Sequence, residues 1–547
     1  MKYIVIGAVA GGASTAARLR RLEEKAEIII FEKGEYISYA NCGLPYYIGN
    51  VITDRNKLFV QTAASFNQRF NIDVRVQTEV IGIDAANKQI GALDQSSGKT
   101  YFETYDKLVL SPGAEPIKPP LAGISLPGIF TLRNVADTDY IKAYADANKT
   151  GKAVVVGGGF IGLEMAENLH HLGMQVSVVE MGNQVMAPLD FTMANLVQKH
   201  LVHKGIDLHL NSGVTGFEKN NEGIKVLLKD NAFIDADMVI LSIGVRPDTR
   251  LATQAGIKLG TAKGIWVNEY LQTSDPSIYA VGDAIEFENP ITGMSMNTYL
   301  AGPANKQGRI CANNVHGGNV EVYKGAINTA IVKVFDITVA TAGTASKNLK
   351  NAGIEHVVST THSGSHAGYY PGAQKMSMQL AFSPSNGTLY GAQIVGYEGS
   401  DKRIEMLSAV IKRGGNIQEL TEIEHAYAPP FSSAKDPVNI AGFVAQNLMS
   451  GKMKVLYWDQ LASMQNNIEL IDVRSETEFN AGHIPHAKNI SVDDLRARIS
   501  ELNPEKKTVV YCAVGQRGYL AQQILLQNGF KDVLNLSGGY TTWNGAQ

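Results

Sequence analysis

Cysteine is scarce in this chain: three residues, Cys42, Cys311 and Cys512, in a length of 547. So odd and sparse a count excludes a disulfide framework and points to a reducing, cytoplasmic setting. Neither sign of charge is in excess. Lys and Arg number 49 against 52 Asp and Glu, a net charge of -3, so no basic field exists to bind nucleic acid by neutralising phosphates. No run of about 18 apolar residues is free of charges or glycine clusters, which excludes a membrane-spanning helix. No Cys-x2-Cys grouping occurs, so no metal site is expected. Glycine, by contrast, is abundant at 54 residues, above the usual ~7%, as suits a chain with many tight turns and close backbone approaches.

At roughly 150 residues per domain, the length accommodates about three to four domains. Apolar strands alternate with helical stretches to about residue 325, the α/β pattern. From 326 to 450 strand-like alternation gives way to helix, and 451–547 reads as a small separate α/β unit. Two strand–glycine turn–helix segments lie 150 residues apart. A helix N-terminus behind such a turn carries a pyrophosphate, and an acidic residue ending the next strand accepts hydrogen bonds from a ribose. In the second segment Gly157, Gly159 and Gly162 match the G-x-G-x-x-G form, and Glu180 follows 18 residues later. That carboxylate repels a 2′-phosphate and Met181 supplies no cation, which predicts NADH over NADPH.

In the first segment Val9 replaces the middle glycine between Gly7 and Gly12, Gly11 adds flexibility, and Glu32 stands 20 residues after Gly12. The opening MKYIVIGAVAGGAS has the outline of a short signal peptide, but its glycines fit this turn better. Two fingerprints in series imply two adenine dinucleotides, FAD and NAD(P)H in an electron-transfer enzyme. TSDPSIYAVGDA resembles the flavin-contacting segment of the two-dinucleotide flavoprotein reductases, which assigns Asp283 to the flavin.

Cys42 stands in SYANCGLPYYIG. The dithiol enzymes of this class carry Cys-x4-Cys here, and the second cysteine is missing. A lone thiol cycles through a sulfenate, a persulfide or a mixed disulfide. The segment resembles the signature of the coenzyme A-disulfide reductases, a single-cysteine branch that also contains NADH oxidases and peroxidases. The resemblance spans about residues 1–445. It implies that Ser14, Arg18, Arg21, Ser38 and Asn41 bind coenzyme A, arginines suiting its phosphates. From HAGYYPGA and EHAYAPPFSSAKDP it also carries over a tyrosine pair, Tyr369 and Tyr427, to the leaving thiolate, with Tyr370 an alternative to Tyr369. Lys435 would be a further phosphate contact. In this family these last residues act across a homodimer. Cys311, in GRICANNVHGG, reads as packing and His425 as a structural neighbour of Tyr427.

LIDVRSETEFNAGHIPHAKNI and VVYCAVGQRGYLA resemble the rhodanese family. Cys512 heads the loop that runs to Arg517 and into a helix. Such a loop turns backbone N–H groups toward the sulfur and favours its thiolate, while Arg517 adds positive charge for an anionic donor. Asp472 and Arg474 read as fold anchors.

The fold expected is therefore α/β: an FAD-binding domain (1–114 and 246–325), an NADH-binding domain (115–245), an α+β dimerisation domain (326–450) and a rhodanese domain (451–547). The activity expected is FAD-dependent reduction of persulfide or polysulfide sulfur to sulfide by NADH, with coenzyme A bound near Cys42 and sulfur delivered by Cys512. Its rivals are a CoA-disulfide reductase with an accessory rhodanese domain, an NADH oxidase or peroxidase, and a flavin-binding sulfur carrier or sensor without turnover.

Overall fold

The computed structural model describes all residues except 149, 221, 222 and 465–467. The chain divides into two compact units, one of Met1–Asn183 with Gly205–Asn328, the other of Gln184–Lys204 with Thr329–Gln547.

The first unit contains two parallel sheets built on one plan. In one, strand Lys2–Ile6 lies between Glu27–Phe31 and Lys107–Leu110, and Asp73–Arg75 and Ile278–Ala280 flank these among the described residues. Tyr3, Ile4 and Val5 are fully buried, the unbroken apolar run of a strand enclosed on both faces. In the other, Lys152–Val156 takes the same place between Gln175–Val179 and Met238–Leu241. Each central strand turns at a glycine into a helix, Ala10–Leu22 or Phe160–His171.

Gly7 (φ +94°) and Gly157 (φ +107°) adopt the left-handed backbone that glycine alone takes freely, and a side chain at either would strike the backbone of Ser111 or Ser242. A Cβ at Gly159, by contrast, would meet open space. The protein itself does not require glycine at that middle position, so Val9 is accommodated in the first turn.

The second unit contains an antiparallel sheet ordered Ala330–Val334, Ile337–Gly343, Leu389–Gly396, Lys375–Phe382, Val357–Gly364, with helices Ser400–Lys412 and Pro437–Met449 packed against it. It also contains a small parallel sheet ordered Val455–Leu456, Val533–Leu536, Thr508–Tyr511, Glu469–Asp472, Lys488–Asn489. Helix Phe191–His203, which in sequence lies inside the span expected to bind NADH, packs in this unit. Buried Asp190 at its N-terminus accepts hydrogen bonds from the Gln379 and Gln393 amides (2.7 Å each) and from the Ser346 and Lys347 backbone N–H groups (3.0 Å each).

Within this unit the small sheet's domain is seated on the larger one. The Tyr457 phenol donates to the Val358 carbonyl at 3.0 Å, Phe191 stacks on Trp458 at 5.8 Å, and His362 lies 2.8 Å from both Ser377 Oγ and Thr542 Oγ1. Burial, with Lys375 beside it, pushes His362 down to about 4, so the imidazole crosses the joint uncharged. The α/β class, with two Rossmann-like halves, an α+β domain and a C-terminal α/β domain, is the one the sequence indicated.

Candidate active site

Between the first glycine turn and the segment Gly282–Ala284 lies a cavity of about 1250 Å³, its open mouth included. Gly7, Val9, Glu32, Arg133 and Asp283 line it, and so does Cys42. Glu32 is oriented by the backbone: Ala8 N donates to one oxygen at 3.0 Å and Gly34 N to the other at 2.8 Å. Glu180 repeats the arrangement, accepting from Gly158 N and Gly182 N at 2.8 Å each. Each turn thus offers a helix N-terminus to meet a pyrophosphate and a fixed carboxylate one strand away, the first with Val9 in place of the middle glycine. The residues present fit an adenine dinucleotide at both. Burial pushes the Asp283 carboxyl up, against the pull of Arg133.

Cys42 is the middle residue of a short turn, Asn41–Gly43, that runs into the helix Leu44–Ile48 with Pro45 in its first turn. Its side chain reaches solvent, yet crowding around the sulfur pushes the thiol up, and the Glu164 and Asp283 carboxylates add to the effect. Glu164 comes from the second fingerprint helix, Phe160–His171, and accepts the Tyr46 phenol at 3.2 Å. Burial raises Glu164 to about 7, against the Tyr46 hydrogen bond.

As pH rises through about 7, Glu164 therefore ionises and opposes a second negative charge on Cys42. Glu164→Gln is expected to move the midpoint of Cys42 alkylation by iodoacetamide to lower pH and to speed alkylation severalfold at neutral pH. A midpoint that stays put or rises would show that the sulfur does not feel this carboxylate.

The helix Ala10–Leu22 lies along Ala301–Gly317. Ser14 hydrogen-bonds Asn305, and Arg18 Nε donates to Asn313 Oδ1 at 3.0 Å. Arg21 is exposed, whereas its neighbour Arg20 turns inward to the carbonyls of Phe70, Asn71, Glu23 and Glu24. No motif in the sequence marks the second helix. Asn305, Arg309 and Asn313 repeat at four-residue spacing on one helix face, and Lys306 and Arg309 are exposed cations. Ser38 (φ +45°) is tied to the glycine turn through its N–H to the Ala8 carbonyl at 2.8 Å, and Asn41 is exposed beside Cys42. Cys311 is fully buried on the second helix, as packing requires.

In the second unit the Tyr369 and Tyr427 hydroxyls lie 2.8 Å apart, with the residues 76% and 48% exposed. Tyr370 turns its ring against His366 instead, which separates the two tyrosines the sequence left open. Lys435 is exposed. His425 lies below, its Nδ1 3.8 Å from Asp436.

Cys512 follows strand Thr508–Tyr511, fully buried, and its sulfur accepts the Gly515 N–H at 3.1 Å. The Cys512 and Ala513 carbonyls are taken by Tyr540 N (2.8 Å) and Thr541 N (2.9 Å) of the helix Gly539–Gly545. The loop's oxygens are thereby drawn toward that helix while an N–H is left for the sulfur. Asp472 and Arg474 form a buried ion pair at 2.6 Å, the anchor expected of them. Arg517 is not an unpaired cation: both its terminal nitrogens hold Glu478 at 2.7 Å, and the guanidinium draws that carboxyl down to about 2. Among the described residues no group of three His, Cys, Asp or Glu is placed to hold a metal ion, and no helix is long and apolar enough to cross a membrane.

Three family profiles match the chain: pyridine nucleotide-disulphide oxidoreductase over residues 1–308, the dimerisation domain of that family over 329–437, and a rhodanese-like domain over 457–546. A coenzyme A disulfide reductase of Staphylococcus aureus (strain JH9) is 35% identical over 445 residues, 81% of this chain and 100% of that protein. The reduced Bacillus anthracis CoADR-RHD structure is 47% identical, with a TM-score of 0.97 and coverage of 100% of this chain and 98% of that one. An NAD-dependent persulfide reductase from A. fulgidus is 37% identical, with a TM-score of 0.94 and coverage of 99% of this chain and 100% of that one.

Proposed function

The chain belongs to the pyridine nucleotide-disulphide oxidoreductase family, with a rhodanese-like domain at its C-terminus, and from that premise we propose that it reduces persulfide or polysulfide sulfur to sulfide with NADH. In the net reaction NADH, one proton and a persulfide R–S–SH give NAD⁺, the thiol R–SH and hydrogen sulfide. FAD, held at the turn of Gly7, Gly11 and Gly12 with Glu32 and Asp283, supplies the two-electron relay between nicotinamide and sulfur. The chain's own part is sulfur chemistry. The Cys42 thiolate attacks the sulfane sulfur, the bond to the donor thiolate breaks, and Cys42–S–SH remains. Two electrons and one proton then return the Cys42 thiolate and release hydrogen sulfide.

Ser14, Arg18, Arg21, Ser38 and Asn41 hold coenzyme A, the thiol that presents sulfur to Cys42, and Lys306 and Arg309, exposed on the neighbouring helix, add positive charge for its phosphates. Tyr369, Tyr427 and Lys435 of each protomer complete the Cys42 site of the other in a homodimer, the tyrosine pair giving a proton to the departing thiolate. Cys512 loads the sulfur from a donor.

The observation that carries this reading over plain CoA-disulfide reduction is the Cys512 loop, with its buried sulfur on an N–H and its carbonyls drawn away. Such a loop stabilises a persulfide anion and has no part in breaking CoA disulfide. The staphylococcal reductase is matched along its whole length by only 81% of this chain, whereas the persulfide reductase and the CoADR-RHD structure match 99% and 100% of it, so the C-terminal domain is shared with both.

The test is anaerobic turnover with NADH on glutathione persulfide and CoA disulfide, with oxygen consumption measured in parallel in aerated buffer. The persulfide should give the highest kcat/KM. NADH should exceed NADPH by about 10- to 100-fold, because Glu180 meets a 2′-hydroxyl but repels a 2′-phosphate. Faster consumption of oxygen would make the protein an oxidase, and parity with NADPH would overturn the role of Glu180.

A further inference from the structure

Arg403, in the helix Ser400–Lys412, is wholly enclosed, an unusual place for a guanidinium. Its Nη2 donates to the Ser365 carbonyl at 2.9 Å, to Asp436 Oδ2 at 2.8 Å and to Ser432 Oγ at 3.3 Å. Its Nε lies 3.2 Å from both Asp436 oxygens, and Nη1 donates to the Gly399 carbonyl at 3.0 Å. Asp436 is also fully buried; it accepts the Ser432 hydroxyl at 2.6 Å and caps the helix Pro437–Met449 through Val438 N at 3.0 Å.

These partners belong to two loops. Ser365 opens the one that carries Tyr369, and Ser432 and Asp436 close the one that carries Tyr427. A backbone bond from Ala367 N to the Ser432 carbonyl at 3.0 Å joins the loops directly, and Lys402 donates to the Phe431 carbonyl at 2.7 Å. The phenols at the loop tips are exposed, and among the described residues each has only the other as hydrogen-bond partner.

We propose that the Arg403–Asp436–Ser432 cluster is a positioning device, which fixes the Tyr369 and Tyr427 hydroxyls at bonding distance and so sets the geometry in which the pair meets a substrate sulfur. The proposal deepens, and rests on, the reading that this pair acts at the sulfur. A buried ion pair is weak support for a fold once desolvation is counted. Stability alone gives no reason for one guanidinium to grip both loops, whereas a shared anchor beneath two exposed tips does.

The experiment uses the full-length flavin-loaded enzyme with glutathione persulfide and NADH, in a double-mutant cycle of Arg403→Lys and Tyr427→Phe. Arg403→Lys is expected to lower kcat about tenfold, the size of loss that small misplacement of a reacting group brings, with KM within about twofold. In the Tyr427→Phe background the same change should cost less than about twofold. Equal losses in both backgrounds would make the cluster merely structural and overturn the proposal.

A second readout is independent of turnover. The bond to Tyr369 raises the Tyr427 phenol, so ¹³C-labelled tyrosine NMR of Arg403→Lys should show Tyr427 titrating at lower pH. An unmoved titration would also overturn the proposal. Ser432→Ala, which leaves no buried ion unpaired, takes the place of Arg403→Lys in both measurements if the latter does not fold. If Tyr427→Phe leaves kcat unchanged, the reading of the tyrosine pair has failed, and the NMR titration still decides the anchor.

Discussion

Replacing Cys42 with serine should lower NADH-driven reduction of persulfide, and of CoA disulfide, by at least about a thousandfold, the order of loss seen when a covalent nucleophile is removed. A serine oxygen can neither form the reducible bond to sulfur nor leave as a stable anion when electrons arrive. No other thiol in the chain is available to substitute. Cys311 is enclosed in its helix core with the thiol pushed far up by burial, and Cys512 is committed to its own loop. The serine is nearly isosteric and stands at a solvent-reached position, so the cavity that Cys42 shares with Glu32 and Asp283 should keep its shape and its flavin. The measurement is anaerobic NADH consumption alongside the flavin content of the purified variant. More than about a tenth of the wild-type rate at full flavin occupancy would place the sulfur chemistry elsewhere.

The upward push on this thiol is physically informative. A nucleophilic cysteine works as thiolate, yet crowding and two carboxylates, Glu164 and Asp283, disfavour that charge. Neither carboxylate was connected with Cys42 by the sequence. Glu164 stands two residues past the last glycine of the second fingerprint, and its effect arises only because the helix after Cys42 packs against that fingerprint helix, bringing Tyr46 to it. Local grammar was legible: Glu32 and Glu180 follow their turns at near-constant distance, and both are pinned by backbone N–H groups in matching ways. Val9 looked like a defect, but in the turn the middle position is the one the protein leaves free.

What escaped reading were partners remote in the chain. Arg517 reads in the sequence as positive charge for an anionic donor, and Glu478, 39 residues earlier, shares that charge with the Cys512 sulfur. The Asn305–Arg309–Asn313 face became visible only when Ser14 and Arg18 were seen bonded to it. Tyr369 and Tyr427 were assigned by resemblance alone, since no periodicity relates residues 58 apart. Adjacent Tyr369 and Tyr370 differ in the direction of their rings, one toward Tyr427 and the other toward His366, which no sequence pattern encodes.

Cys512→Ser separates the two activities that the chain combines. Sulfur transfer from a persulfide to cyanide, which requires the thiolate at the head of the loop, should fall by at least about a thousandfold. NADH-driven release of sulfide from polysulfide should fall by about tenfold or more. Reduction of CoA disulfide contains no sulfane sulfur to be carried, and should stay within about twofold. The asymmetry follows from the two thiols' settings. Cys512 is buried with its sulfur on the Gly515 N–H, a place to hold an anion, whereas Cys42 lies open in the cavity shared with Asp283, a place to discharge one. Having both on one chain raises the effective concentration of loaded sulfur at the reducing site, the condition under which a tethered carrier outruns free diffusion. The gain should therefore be largest at low donor concentration: the sulfide-release ratio of wild type to Cys512→Ser should widen as polysulfide is diluted and narrow toward saturation, where Cys42 is loaded directly. A ratio flat across donor concentrations, with sulfide release unimpaired, would end the relay and leave a CoA-disulfide reductase carrying an independent sulfurtransferase.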